Sequence, residues 1–186
     1  IGLTYSQSFF DGKMQNVFFA KDYVNHPNIR QTDQSTVTGS DKVQGSTTKN
    51  YFGYGTGLRY MFFDPLAVKV SYEHSVRLPI ARELLGNGTT IYANVALKPE
   101  KSNNVNLALF GTWHPAGRHT IYYEANGFLR YVDNYIQTSV IEKEGMMQFV
   151  NDPAVHIKGV EGEIRYDWDG RLQLMACLLY TSPSPR

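Results

Sequence analysis

Residues 65–113 decide the fold, and they run PLAVKVSYEHSVRLPIARELLGNGTTIYANVALKPEKSNNVNLALFGTW. In the first part, the apolar residues fall on one parity: Leu66, Val68, Val70, Tyr72 and Val76. In the last part, Val105, Leu107, Leu109 and Trp113 form a second alternation, which Phe110 breaks. A period of two indicates strands with one apolar and one polar face. Residues 77–101 are polar and contain Asn87-Gly88, so we predict a long loop between two antiparallel strands.

The composition favours strands over helices. The chain has 186 residues, of which 13% are aromatic, with 13 tyrosines and 16 glycines. This mixture is typical of strands and tight turns. A formal charge of +1 gives no electrostatic attraction for nucleic acid. No run approaches the roughly 18 apolar residues of a membrane helix, but a membrane-crossing strand needs only about 9 to 11 residues.

Alternating segments continue on both sides of this region. We predict further strands at residues 1–10, 13–23, 51–62, 119–141, about 146–168 and 171–176. Residues 25–50 are rich in small polar side chains without periodicity, which predicts a long exposed loop. Pro153 lacks a backbone N–H, so it predicts an interrupted ladder or a bulge in its strand.

The connections between the predicted strands alternate in length. The short ones are residues 11–12, 63–65, 114–118 and 169–170, and the long ones are residues 25–50, 77–101 and the distal part of a hairpin whose tip lies at residues 142–145. Transmembrane barrels have short periplasmic turns and long extracellular loops. We therefore predict an all-β fold, an antiparallel transmembrane β-barrel fragment with about eight strands of a larger barrel.

This barrel hypothesis assigns the two faces of the sheet. Val68 and Val70 are expected to face lipid, whereas Lys69 and Ser71 are expected to face the lumen. An aromatic girdle near the periplasmic interface is expected from Tyr60, Phe62, Trp113 and Trp168.

Several segments around the long loop carry a family resemblance. They are Val76-Arg77-Leu78-Pro79, residues 83–88 and residues 94–102. Together they resemble the strand-loop-strand signature in the C-terminal half of TonB-dependent outer-membrane receptors, and residues 158–163 resemble a second recurrent segment of those barrels. The resemblance implies a siderophore receptor of the Bacteroidetes type. It also implies active import across the bacterial outer membrane, with no enzymatic activity and no cofactor.

The same resemblance implies the partners. Receptors of this family hold a plug domain inside the barrel and contact the TonB complex, which converts proton-motive force into plug movement. The plug and the TonB-contacting segment are not in this sequence. The expected partners are TonB through that plug, outer-membrane lipid and a small ligand such as a ferric siderophore, with haem, cobalamin and oligosaccharide as other substrate classes. Nucleic acid is not expected.

The predicted ligand-binding residues lie in the long loop: Arg77, Arg82, Glu83, Tyr92 and Asn94. An external loop with arginine and tyrosine donors suits an anionic or catecholate-like ligand. The alternative is that these side chains only order their own loop. Family members that take up haem carry Phe-Arg-Ala-Pro and Asn-Pro-Asn-Leu with a histidine between. This chain departs from both motifs and has no histidine from Arg77 to Leu97, so haem is less favoured as a substrate but stays among the alternatives.

Other patterns do not predict catalysis or a metal site. Glu161 and Glu163 are two residues apart on a strand, which predicts two lumen-facing side chains and not a catalytic pair. The histidines show no metal-ligand spacing. Gly53, Gly55 and Gly57 lie within a strand pattern that no helix follows, so they predict small lumen-side positions and not a nucleotide loop.

We expect residues 1–176 to belong to the barrel and residues 177–186 to form a non-native tail, because CLLYTSPSPR is similar to a translated tail fused to truncated reading frames. Cys177 is the only cysteine, so an internal disulfide is excluded. Two other classes stay open at this point. One is an outer-membrane barrel with an adhesive or enzymatic role, and the other is a soluble all-β binding module.

Overall fold

The computed structural model describes residues 1–25, 28–30, 44–46, 49–141 and 145–185. Within these ranges, strands dominate, and one short helix, α1, spans Ala81–Leu85. The strands are β1 Gly2–Phe9, β2 Met14–Asn25, β3 Asn28–Arg30, β4 Gln44–Ser46, β5 Lys49–Phe63, β6 Leu66–Arg77, β7 Ile91–Tyr92, β8 Glu100–Trp113, β9 His119–Ile141, β10 Met146–Trp168 and β11 Leu172–Pro185. Nothing helical in the described ranges is long and apolar enough to cross a membrane.

Most strands form one antiparallel meander in the order β1-β2-β5-β6-β8-β9-β10-β11. The short strand β7 joins this sheet by pairing with β10, and β3 pairs with β4 in a separate hairpin. The all-β class and the expected number of about eight meander strands are confirmed. Within the described residues, β1 and β11 are the two edges of the sheet and do not pair with each other.

The register carries one apolar face across the whole sheet. Val70 lies opposite Leu58 and Leu107, and the same row continues through Gly127 to Val160. Directly paired residues share a face. Large exposed apolar side chains follow this face from edge to edge: Tyr5, Phe18, Leu58, Val70, Leu107, Leu129, Val160 and Leu178. The predicted division into an apolar and a polar face is therefore confirmed, and an exposed apolar surface of this size indicates contact with something other than water.

The polar face combines hydrogen-bonded side chains with tightly packed glycines. The Asn106 amide donates to Ser71 Oγ at 3.2 Å. On β5, a Cβ atom on Gly55 would lie 2.7 Å from the Tyr72 carbonyl oxygen and 2.8 Å from Phe19 Cε1. No side chain fits into that space, so this position requires glycine. The interpretation of the β5 glycines as small positions on the polar face agrees with this packing.

The two rims of the sheet differ as the connection lengths predict. Because meander neighbours are antiparallel, the short turns at residues 10–13, 64–65, 114–118 and 169–171 all lie at one rim, the short-turn rim. Residues 78–99 lie at the opposite rim, the long-loop rim. At the short-turn rim, Asp169 and Gly170 have φ values of 50° and 69°, as expected for a tight hairpin turn.

Aromatic residues also lie where they were expected along the strands. Tyr60, Phe62, Trp113 and Trp168 are all exposed and all come close to a short turn in the sequence. Tyr60 and Phe62 contact each other edge to face, with ring centroids 4.8 Å apart. Their contact with a membrane interface stays a prediction.

Some predicted boundaries are wrong. The last strand does not end at Ala176, because β11 pairs with β10 as far as Pro185 opposite Val155. The tight turn sets the register, and backbone pairing on an edge strand tolerates the prolines of this segment. Whether residues 177–186 are native stays a prediction. The β9–β10 register continues past Pro153 without a shift, so proline interrupts the ladder at one position and makes no bulge.

The long polar segment at residues 25–50 is also not entirely loop. It contains the β3–β4 hairpin, which periodicity did not predict because three-residue strands are too short to show alternation. Residues 26–27, 31–43 and 47–48 of that segment, and residues 142–144 of the hairpin tip predicted at 142–145, lie outside the described residues.

Candidate functional site

The first half of the long loop is folded around α1. The backbone N–H of Ile80 donates to Glu83 Oε2 at 2.9 Å, which satisfies a donor at the start of the helix. Gly86 then reverses the chain with φ +68°, and a Cβ atom there would lie 2.9 Å from the carbonyl carbon of Tyr92. Glycine is needed for this conformation and for the close approach.

A tight turn follows at Asn87. Its Oδ1 accepts backbone hydrogen bonds from Thr89, Thr90 and Ile91 at 3.0, 2.9 and 2.8 Å. An asparagine side chain that bonds the next residues in this way replaces regular secondary structure. The predicted loop is therefore a folded unit with its own hydrogen bonds.

Arg77, at the end of β6, ties this unit to the sheet. Its Nε and Nη2 donate to the two carboxylate oxygens of Glu100 at 2.6 and 3.0 Å, and its Nη1 donates to Glu83 at 3.0 Å. Glu100 also accepts a hydrogen bond from the backbone N–H of Ile136 at 2.7 Å. Arg77, Glu83 and Glu100 are called the loop latch below, because they join β6, α1 and β8, and Glu100 adds β9.

The loop latch buries its carboxylates more than its cation. The side chains of Glu83 and Glu100 are 10% and 8% exposed, whereas that of Arg77 is 42% exposed. Burial alone would raise the pKa of Glu100, but the hydrogen bonds from Arg77 and Ile136 outweigh it and lower the pKa. The bond to Glu100 is the main reason why the pKa of Arg77 is raised. Both groups are therefore charged at neutral pH.

The second half of the loop is bonded to the β9–β10 hairpin. β7 pairs in parallel with β10, with Ile91 opposite Met147. The Asn94 side chain donates to the Phe149 carbonyl at 2.7 Å. These bonds make the loop a strap that runs from the end of β6 to the outer edge of β10.

Asn151 makes the third connection between loop and hairpin. Its Oδ1 accepts from the Lys98 N–H at 2.8 Å, and its Nδ2 donates to the Lys98 and Asn134 carbonyls at 3.0 and 2.8 Å. Asn134 lies opposite Pro153 and has a φ of 55°. One asparagine thus satisfies backbone groups of two segments, the long loop and β9.

The predicted ligand residues therefore have different surroundings. Arg77, Glu83 and Asn94 use their side chains for hydrogen bonds within the protein. Arg82 is exposed on α1, and within the described part of the chain its side chain has no ion pair. Tyr92 is 39% exposed. Ligand contact by these five residues stays a prediction, while the ordering of the loop by three of them is observed.

Glu100 and Asn151 are not among the residues predicted from the sequence. Glu100 lies directly opposite Arg77 in the β6–β8 register, so counting pairs back from the apolar alternation would have placed a carboxylate beside that arginine. Asn151 has no comparable signal, because its loop partner Lys98 is 53 positions away. Within the described residues, no cluster of three or more His, Cys, Asp or Glu side chains could hold a metal ion.

An antiparallel sheet with one exposed apolar face, short turns at one rim and a long folded loop at the other is typical of the wall of a transmembrane β-barrel. A family model described as TonB dependent receptor-like, beta-barrel, matches residues 14–183. The chain belongs to the TonB-dependent receptors. Members of this family are outer-membrane β-barrels.

Solved structures with this fold include three transport receptors. The copper transporter OprC is 18% identical, with a TM-score of 0.77 over 99% of this chain and 28% of that one. The Serratia marcescens hemophore receptor HasR, a double mutant in complex with its hemophore HasA and heme, is 16% identical, with a TM-score of 0.71 over 98% of this chain and 33% of that one. The FrpB iron transporter from Neisseria meningitidis is 12% identical, with a TM-score of 0.66 over 98% of this chain and 25% of that one.

These identities show a common fold and no more. The chain spans between 25% and 33% of the length of the three structures. No curated protein matches it by sequence.

Proposed function

We propose that the protein is an outer-membrane importer driven by TonB, and that it takes up a scarce nutrient, with a ferric siderophore as the first substrate to test. The observation that supports this best is the family match over residues 14–183. In this proposal, the apolar face contacts outer-membrane lipid and the polar face lines the lumen. The TonB complex supplies the energy through a plug domain.

Two residues of the long loop suit a particular substrate class. Arg82 offers an exposed cation, and the side chain of Tyr92 is 39% exposed in the same loop. Anionic, oxygen-rich and aromatic ligands such as catecholate siderophores suit these two groups. The structural neighbours are named for copper, iron and heme. Haem ranks lower for this chain because the loop has no histidine between Arg77 and Leu97. A siderophore receptor of the Bacteroidetes type remains the most specific form of the proposal.

The loop residues have two tasks in this proposal. Arg82 contacts the ligand, with the exposed part of the Tyr92 side chain beside it. Arg77, Glu83 and Asn94 position the strap, because their side chains bond to β8, to Ile80 ahead of α1 and to β10. This division predicts different consequences for Arg82→Ala and Arg77→Ala in an uptake assay. The first removes a contact, and the second loosens the surface that carries it.

The experiment uses iron-starved cells that make the full-length receptor containing this chain. Uptake of radioactive iron as a tris-catecholate complex is measured with and without TonB. We expect TonB-dependent uptake in the wild type. We expect Arg82→Ala to weaken apparent affinity about tenfold, as for the loss of one charge-assisted hydrogen bond.

The matched control is Arg171→Ala, since Arg171 is an exposed arginine at the short-turn rim with a side chain that is 75% exposed. Surface abundance is measured in parallel with an antibody. Uptake that does not change when the receptor gene is deleted would reject the substrate class. Normal uptake in Arg82→Ala, at normal abundance, would remove Arg82 from the ligand contacts.

The alternative functions predict other outcomes. An adhesive or enzymatic barrel would reach the cell surface without supporting uptake of any ligand. A soluble module would bury the apolar face of its sheet in a closed core, yet Leu107 and Val160 on that face are 50% and 53% exposed. This exposure favours the lipid-facing interpretation on which the transport proposal depends.

A further inference from the structure

Two cations lie side by side on the polar face, away from the loop latch. Arg59 of β5 and Lys69 of β6 are direct cross-strand partners. Like charges at such positions repel each other and destabilise the sheet. Within the described ranges of the chain, neither side chain forms an ion pair, and the salt bridge of this region joins Lys21 to Glu73 instead.

Arg59 is only partly satisfied by its neighbours. Its Nη1 lies 3.5 Å from Gln15 Oε1, which is the outer limit of a hydrogen bond. Its guanidinium carbon lies 5.5 Å from the centre of the Phe110 ring. Its Nε is buried and has no hydrogen-bond partner. Buried donors in native proteins nearly always have an acceptor, so this nitrogen points to one that the described residues do not supply.

Both cations line an open concavity of about 630 Å³. The carboxylate in its lining belongs to Glu73, which lies 3.3 Å from Lys21 Nζ and is therefore already paired. Apolar side chains complete the wall: Val17, Phe19 and Phe110. The concavity thus combines two uncompensated positive charges with an apolar surround.

This concavity is separate from the long loop. Lys69 precedes Arg77 by eight positions on β6, which corresponds to about 26 Å at roughly 3.3 Å per residue. Arg59 lies a few residues before the turn between β5 and β6. The two cations therefore lie in the half of the sheet nearest the short-turn rim.

We propose that Arg59 and Lys69 form an anion site for a carboxylate carried on an apolar or aromatic body. The inference rests on the proposed function, because a barrel turns this polar face towards its lumen. A carboxylate between the two side chains accepts hydrogen bonds from both and removes the repulsion. The apolar body contacts Phe19 and Phe110. The carboxylate belongs either to a free ligand in the lumen or to an Asp or Glu of a protein segment inside the barrel.

The test is thermal unfolding of the purified full-length receptor in detergent, with benzoate as the probe at constant ionic strength. For a free ligand, benzoate raises the Tm of the wild type and leaves R59Q/K69Q unchanged. Without benzoate, the double variant then has the higher Tm, since the repulsion is gone. For an internal carboxylate, benzoate has no effect and R59Q/K69Q has a lower Tm than the wild type.

Two results would overturn the anion site. One is an equal benzoate response in the wild type and in R59Q/K69Q. The other is the absence of a benzoate response together with a double variant that is as stable as the wild type or more stable. The matched control is Arg165→Gln on the same face, because Arg165 already has Glu163 as its partner. This control should respond to benzoate as the wild type does.

Lys69→Glu covers the case in which R59Q/K69Q does not assemble. This variant supplies a carboxylate directly opposite Arg59. For a free ligand, the benzoate response disappears while the Tm is kept. For an internal carboxylate, the new side chain repels it and the Tm falls below that of the wild type. A benzoate response that persists in Lys69→Glu would contradict the site, and so would an unchanged Tm in Lys69→Glu when the wild type does not respond to benzoate. The measurement needs no siderophore, so a failed uptake assay leaves its outcome unaffected. A lost site with intact uptake would reject this inference and leave the proposed function in place.

Discussion

Replacing Arg77 by alanine is expected to free the long loop while the barrel wall stays folded. The substitution leaves the carboxylates of Glu83 and Glu100 without their shared cation, in positions where their side chains are only 10% and 8% exposed. The bonds of β6 to β5 and β8 run through the backbone and are not affected. The damage is therefore confined to the attachment of residues 78–99.

The size of the effect follows from the exposure of the three side chains. Removing one member of a fully buried ion pair costs about 3–5 kcal/mol. Arg77 is 42% exposed, so water hydrates part of the site once the guanidinium has gone, and we expect a cost of about 2 kcal/mol. That cost corresponds to a roughly thirty-fold rise in the population of the opened loop.

Hydrogen exchange of the purified full-length receptor measures this opening directly. The amides to follow are those of residues 78–99 and the N–H of Met147, which donates to the Thr90 carbonyl at 2.9 Å. They should exchange about thirty-fold faster in Arg77→Ala. Arg77→Lys should fall in between, because lysine keeps the charge and loses the two-pronged bond to Glu100.

The control is Arg82→Ala, which removes an arginine from the same loop but outside the latch. It should leave exchange in residues 78–99 unchanged. Protection of these amides in Arg77→Ala as strong as in the wild type would show that Arg77 does not hold the loop. If amides in the centre of β6 and β8 exchange faster to the same extent, the cation holds the sheet and not the loop.

Three further results are expected. Val70→Arg should impair barrel assembly, because an arginine that faces lipid at the bilayer midplane costs about 2–4 kcal/mol of stability, whereas Ser71→Arg should be tolerated. Heat-modifiability on a gel measures assembly, and equal tolerance of the two substitutions would reject the assignment of faces. The pKa of Glu100 is lowered in the folded protein, so its stabilisation is complete above the ordinary glutamate pKa of about 4.3 and is lost as the pH falls through the lowered value. Amide hydrogen exchange of residues 78–99, corrected for intrinsic rates, should therefore become faster at acidic pH in the wild type. An equal acceleration in Glu100→Gln would show that the Glu100 carboxylate is not the group whose protonation loosens the loop. Gly55→Leu should reduce assembled receptor, because the Phe19 ring and the Tyr72 carbonyl fill the space of a side chain, and normal assembly would show that this packing is not required.

The periodicity and the turns determined the general architecture. Alternation in β6 and β8 was sufficient to assign the faces, because the side-chain period of a strand does not depend on its neighbours. Short signals such as Asp169-Gly170 placed the tight turns, since the backbone conformation of a turn is a local property. The family resemblance came from the same region, around Arg77 and residues 94–102.

The candidate site was decided by tertiary structure. The sequence motifs contained Arg77, Glu83 and Glu100, but nothing in them shows that the three side chains meet. Glu100 lies 23 positions from Arg77 and is brought opposite it by strand pairing. The bond from Asn94 to Phe149 spans 55 positions. Such contacts depend on how a loop crosses a hairpin, and no local pattern of hydrophobicity or turn preference encodes that crossing. The same holds for Arg59 and Lys69, which become neighbours only because the register of β5 and β6 places two like charges opposite each other.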